Sequence, residues 1–100
     1  MINEVNKEKS NPKHTTYPGL RYAKDGVSVT VAFDTRREKK VGLYPVKIQV
    51  VHGRTQRYYS TGKDLSVKDW NDLPETKSKK LIPIRNDIKN TFEKVENAVN

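Results

Sequence analysis

The stretch Tyr44-Pro45-Val46-Lys47-Ile48-Gln49-Val50-Val51-His52-Gly53-Arg54-Thr55-Gln56-Arg57-Tyr58-Tyr59-Ser60 decides the fold. Val46, Ile48 and Val50 share one face, and Lys47, Gln49 and Val51 share the other. A period of two with β-branched residues on the apolar face marks a strand over 44–51. Pro45 sits near its start, where a missing N–H is tolerated. His52-Gly53 is a two-residue hairpin signal, close in kind to Asn-Gly. Residues 54–60 then return as an antiparallel strand. A turn at 52–53 pairs Val51 with Arg54, Gln49 with Gln56 and Lys47 with Tyr58. Tyr59 falls on the apolar face, and so does Arg57, which suits a sheet edge or a bulged register better than a core.

Toward the N-terminus, Val27, Val29, Val31 and Phe33 alternate with Ser28, Thr30, Ala32 and Asp34. That predicts a strand over 27–34, with a turn at Asp25-Gly26 before it. Residues 35–43 form a basic loop in which Gly42 suits a tight position. Residues 1–25 are polar and lack a helical or strand period, so they read as a flexible, disordered basic tail. Tyr17, Leu20 and Tyr22 can attach its last part to the domain.

Toward the C-terminus, Thr61-Gly62 ends the strand. Ser66-Val67-Lys68-Asp69 starts one helical turn that ends near Trp70, with Asp in place of the usual Glu of a capping box. Trp70 reads as a core anchor. Residues 71–80 are a Lys-rich connector. Ile84, Ile88, Phe92, Val95 and Val99 form a single stripe, which predicts a helix from Pro83 or Ile84 to Val99. Pro83 suits a first helical position, and a good N-cap is missing. The fold class expected is α+β. A three-stranded antiparallel sheet is packed on one face by a C-terminal helix, with the tail at 1–25 and the domain at 26–100. The expected core is Val29, Val31, Phe33, Val46, Ile48, Val50, Tyr59, Ile84, Ile88, Phe92 and Val95.

Composition narrows the function. The 100 residues are 33% hydrophobic and carry a net charge of +8, without cysteine. Such a chain buries a modest core and has no thiolate metal site. His14 and His52 alone do not make a zinc site, so no metal and no cofactor are expected. No secretory leader or membrane span is visible, and the expected location is cytoplasmic. The charge is uneven. Between Arg36 and Arg57 seven cations meet Glu38 alone, whereas residues 61–100 are nearly balanced. A basic surface of this kind points to a polyanionic partner.

No catalytic constellation survives inspection. There is no supported Ser/His/Asp set and no Gly-rich phosphate loop, and the carboxylates are scattered. Tyr58-Tyr59 reads as sheet packing plus one exposed ring. What remains is a basic loop beside an uncovered polar sheet face. Lys and Arg neutralise phosphates, and Gln and Arg also make bidentate contacts to base edges. A sheet can enter a major groove. The candidate DNA contacts are Thr30, Arg36, Arg37, Lys39, Lys40, Lys47, Gln49, Arg54, Gln56 and Tyr58. Two other readings stay open. An RNA- or single-strand-binding sheet would want more exposed aromatics than Tyr58. A protein-interaction module would want an apolar patch, for which Val51 is the visible candidate.

The ordered set Gly42, Pro45, Val46, Ile48, Gly53, Ser60, Thr61, Gly62, Trp70 and Asn71 resembles the arm-type DNA-binding domain of tyrosine recombinases, the phage-integrase class. The resemblance covers residues 26–100 and is strongest with integrases of conjugative and mobilisable elements. His52 stands where Asn is commoner, and Lys63-Asp64 replaces a more apolar pair. The resemblance implies binding of double-stranded DNA at accessory arm sites. It also implies core-binding and catalytic domains downstream in a parent protein, with other recombinase protomers as further partners. The nucleophilic tyrosine and its Arg/His/Lys partners would belong to that catalytic domain, so this chain is expected not to be an enzyme. His52-Gly53-Arg54 is one residue short of the family's His-x-x-Arg element and reads as a turn.

Overall fold

The computed structural model describes residues 12–99. Four strands form one antiparallel sheet in sequence order: β1 (Thr16–Lys24), β2 (Val27–Phe33), β3 (Tyr44–His52) and β4 (Thr55–Leu65). A short helix α1 (Val67–Asp72) leads through a 3-10 turn at Leu73–Glu75 to the long helix α2 (Leu81–Val99). The expectation of an α+β fold with a C-terminal helix on one sheet face holds. The count of three strands does not.

The extra strand is β1, formed by residues that read as the end of a tail. Its register jumps between Thr16, opposite Ala32, and Arg21, opposite Thr30. Pro18 and Gly19 lie inside that irregularity, and the bulge breaks the alternation that marks a strand in sequence. The first part of the expected tail, residues 1–11, lies outside the described residues. Tyr17 is buried and meets Trp70 edge-on at 5.9 Å. Trp70 stacks on Phe33 at 4.8 Å, and its Nε1–H donates to the carbonyl of His14 at 2.7 Å. The indole thereby fastens the start of β1 to the end of β2 while its own donor is satisfied.

The β3–β4 turn also differs from expectation. His52 pairs with Thr55, so Gly53-Arg54 forms the turn, not His52-Gly53. Gly53 has φ 62, at the position where a two-residue hairpin favours glycine. Every pair shifts by two: Val51 faces Gln56, Gln49 faces Tyr58, and Lys47 faces Ser60. Side chains alternate with period two, so an even shift leaves each residue on its expected face. Nor does Thr61-Gly62 end the strand. It is a bulge between the Lys47–Ser60 and Val46–Lys63 pairs, and β4 continues to Leu65. Gly62 takes φ 77 there, and the Thr61 hydroxyl donates to the carbonyl of Val46 at 2.7 Å.

The core joins Val29, Val31, Phe33, Val46, Ile48 and Val50 of the sheet to Ile88 and Phe92 of α2, as the stripe predicts. Leu65, Trp70, Leu73, Leu81 and Tyr17 complete it. Ile84 and Val95 are only partly buried. Tyr59 is not core. β4 is an edge strand, and Tyr59 stays 45% exposed. Arg57 shares that edge and is exposed, which resolves its place on the apolar side. Ser66 caps α1 by accepting from the Asp69 N–H at 3.1 Å. The helix α2 begins two residues before Pro83. Ser78 supplies the start, accepting from the Lys80 N–H with its hydroxyl and from the Leu81 and Ile82 N–H groups with its carbonyl. Arg85 donates to the carbonyls of Leu73, Pro74 and Thr76, so this cation is structural.

Candidate nucleic-acid interface

With α2 on one face, the opposite face presents three rows of directly paired residues. Arg21, Thr30, Gln49 and Tyr58 form the middle row across all four strands. Ala23, Ser28, Val51 and Gln56 lie on the side of the β3–β4 turn. Thr16, Ala32, Lys47 and Ser60 lie on the side of the basic loop. Opposed side chains in an antiparallel sheet sit about 5 Å apart, so the middle row is a contiguous set of donors and acceptors, whereas Ala23, Val51 and Ala32 interrupt the other two.

The expected contacts divide into three groups. Thr30, Lys47, Gln49, Gln56 and Tyr58 are brought together on the open face. Gln49 Nε2 donates to Gln56 Oε1 at 3.4 Å and to the Tyr58 hydroxyl at 3.3 Å, and that hydroxyl donates to Gln56 at 3.3 Å. These bonds are long and exposed, so they exchange readily for other partners. Arg36, Arg37, Lys39 and Lys40 lie in the loop at one end of the sheet, and all are exposed. Arg54 stands apart, in the turn at the opposite end.

The loop has a defined shape. Lys39 N–H donates to the Leu43 carbonyl and Leu43 N–H to the Lys40 carbonyl, both at 2.8 Å. Glu38 accepts from the Gly42 N–H at 2.8 Å. Its single acid is therefore a strut for the turn rather than a free charge.

Asp34 is a candidate functional residue that the alternation of β2 does not announce. This carboxylate ends the alternation of β2, and its side chain is only 6% exposed. Lys47 Nζ meets Asp34 Oδ2 at 3.0 Å, and Arg36 meets Oδ1 at 3.1 Å through both its backbone N–H and Nε. Burial pushes the Asp34 pKa up, but hydrogen bonds from Lys47 and Arg36 outweigh it and lower the pKa to about 2. Asp34 also raises the pKa of Arg36, with Tyr58 adding to the effect. The signal in sequence was Asp34-x-Arg36, an acid two residues before a cation, which is also an Asx-turn pattern. Arg21 was missed as well, because it lies on the strand that read as tail.

Among the described residues no group of His, Cys, Asp and Glu could hold a metal ion. No helix among them is long and apolar enough to cross a membrane. No curated protein and no solved structure gave a match to the chain. A family model does match: the arm DNA-binding domain, over residues 31–100. That span holds β3, β4, both helices and the basic loop. A small arm domain of this kind is non-catalytic by itself. The chain belongs to the arm-type DNA-binding domains of the tyrosine recombinase, or phage integrase, family.

Proposed function

We propose that this domain binds duplex DNA sequence-specifically at accessory arm sites, as the N-terminal module of a site-specific recombinase from a mobile element. Core-binding and catalytic domains would follow it in the parent protein, and other protomers would share the assembly. The observation that carries this reading is the open sheet face, where Thr30, Gln49, Gln56, Tyr58 and Lys47 lie between a basic loop and Arg54. Three strands span about 10 Å, and a B-DNA major groove is about 12 Å wide, so β2–β4 fit within one. Gln side chains suit the adenine N6/N7 edge, and the loop cations suit the flanking phosphates. The exposed aromatics favour duplex over single strands. Tyr58 and Tyr59 point to opposite faces of β4, so they offer no continuous stacking platform.

The test uses duplexes that the wild-type protein selects from a randomised pool. The Gln49→Ala/Gln56→Ala/Tyr58→Ala variant should melt like wild type and lose the preference for selected over scrambled duplex. Arg37→Ala or Lys40→Ala should weaken binding to both duplexes alike. Each should also flatten the log–log salt slope by about one unit. Unchanged preference in the folded triple variant would remove the sheet face as reader.

A further inference from the structure

We propose that Arg36 reads a guanine and that Asp34 is its positioning residue. This rests on the open face being the DNA-reading surface. In sequence Arg36 stands with Arg37, Lys39 and Lys40 as one of four loop cations. The structure separates them. Arg36 is tied through Nε and its backbone N–H to one oxygen of a buried carboxylate, while its side chain remains 78% exposed. For Arg37, Lys39 and Lys40 the structure shows no comparable side-chain anchor among the described residues. Arg36 also lines the same groove as Ala32, Gln49 and Tyr58, so it lies over the open face rather than out at the loop tip.

The chemistry of the pair distinguishes two uses of an arginine. A phosphate contact depends mainly on charge, and a carboxylate 3.1 Å away opposes it. A guanine edge is neutral and presents two acceptors, O6 and N7, in a fixed geometry. Reading it needs a planar fork held in one orientation, more than it needs net charge. Asp34 provides that orientation by occupying Nε–H, and the guanidinium donors that the neighbouring Tyr58 hydroxyl does not engage are left for the base. It occupies Lys47 Nζ in the same way with its second oxygen. The Asp34 carboxylate is largely covered, at 6% exposure, while the Arg36 side chain reaches out beside it. Asp34 thus lowers attraction for backbone phosphates and raises discrimination among bases.

The experiment compares the selected duplex with a scrambled one of equal length. Replacing the critical guanine by 7-deazaguanine exchanges the N7 acceptor for C–H and leaves O6 in place. For the wild type this should weaken binding roughly 5- to 100-fold. For Arg36→Ala the same replacement should change nothing further. Asp34→Asn should weaken the selected duplex by a similar factor, strengthen the scrambled duplex, and steepen the salt slope. Glu93→Gln adds the same charge on the exposed surface of α2 and should leave the ratio between duplexes unchanged. Three results would overturn the proposal. They are tolerance of 7-deazaguanine at every guanine, an Arg36→Ala loss equal on both duplexes, and an Asp34→Asn loss on both in parallel. Failure of the underlying reading looks different, since the triple variant of Gln49, Gln56 and Tyr58 would then keep its preference.

Discussion

Under α2 the sheet presents Val29, Val31, Val46 and Ile48, none more than 1% exposed. The other face of the same strands presents Gln49, Gln56 and Tyr58, joined by bonds of 3.3–3.4 Å. One face is apolar, close-packed and permanent. The other is polar and held by contacts that a ligand can replace. Alternation along β2 and β3 writes both at once, because each successive residue serves the opposite face. The division of labour follows. Substitutions under α2 should alter stability and spare recognition, and substitutions on the open face should do the reverse.

The largest effect belongs to the packed side. Trp70→Ala removes the ring that joins Phe33, Tyr17 and His14, and it should cost about 3–5 kcal/mol. In a domain of this size, denaturant titration should find it largely unfolded; a midpoint near wild type would make Trp70 peripheral. Tyr17→Ala should follow at about 3 kcal/mol. This second variant sharpens the comparison, because it tests whether β1 is part of the domain or an appendage. An unchanged melting temperature would return Thr16–Lys24 to the status of a tail.

Asp34 is where the two faces meet, and pH exposes its contribution. Its pKa is held at about 2, below the ordinary 3.8, by Lys47 and Arg36 against the opposing effect of burial. A depressed carboxylate stabilises the fold above its ordinary pKa and loses that contribution as pH falls toward 2. The contribution is at most about 2 kcal/mol. The stability gap between wild type and Asp34→Asn should be constant above about pH 5 and shrink between pH 4 and 2. A gap independent of pH would show that the ion pairs hold nothing together. The smallest effect is Ser66→Ala, which removes the cap of α1 and should cost about 1 kcal/mol without altering DNA binding. A change in duplex preference would mean that α1 contributes to recognition.

Much of this was legible in the residues. The hairpin of β3 and β4, the stripe of α2 and the faces of β2, β3 and the first half of β4 followed from period. The face assignments even survived a misplaced turn, since the error was a shift of two. Other features were hidden for physical reasons. Pro18 and Gly19 sit in a bulge that scrambles the period of β1. Gly62 looks like a strand end but lies in a second bulge. Ser78 starts α2 through a turn placed before the first apolar residue. The Asp34–Lys47 pair joins residues 13 positions apart, which no local pattern announces.

The central claim is that the open face reads DNA, and amide shift mapping with a duplex selected by the protein tests it most directly. Titration should move the resonances of Thr30, Gln49, Gln56, Tyr58 and the loop from Arg36 to Lys40. Ile88 and Phe92 should stay in place. Shifts centred on α2, or on the β4 edge at Arg57 and Tyr59, would contradict the account.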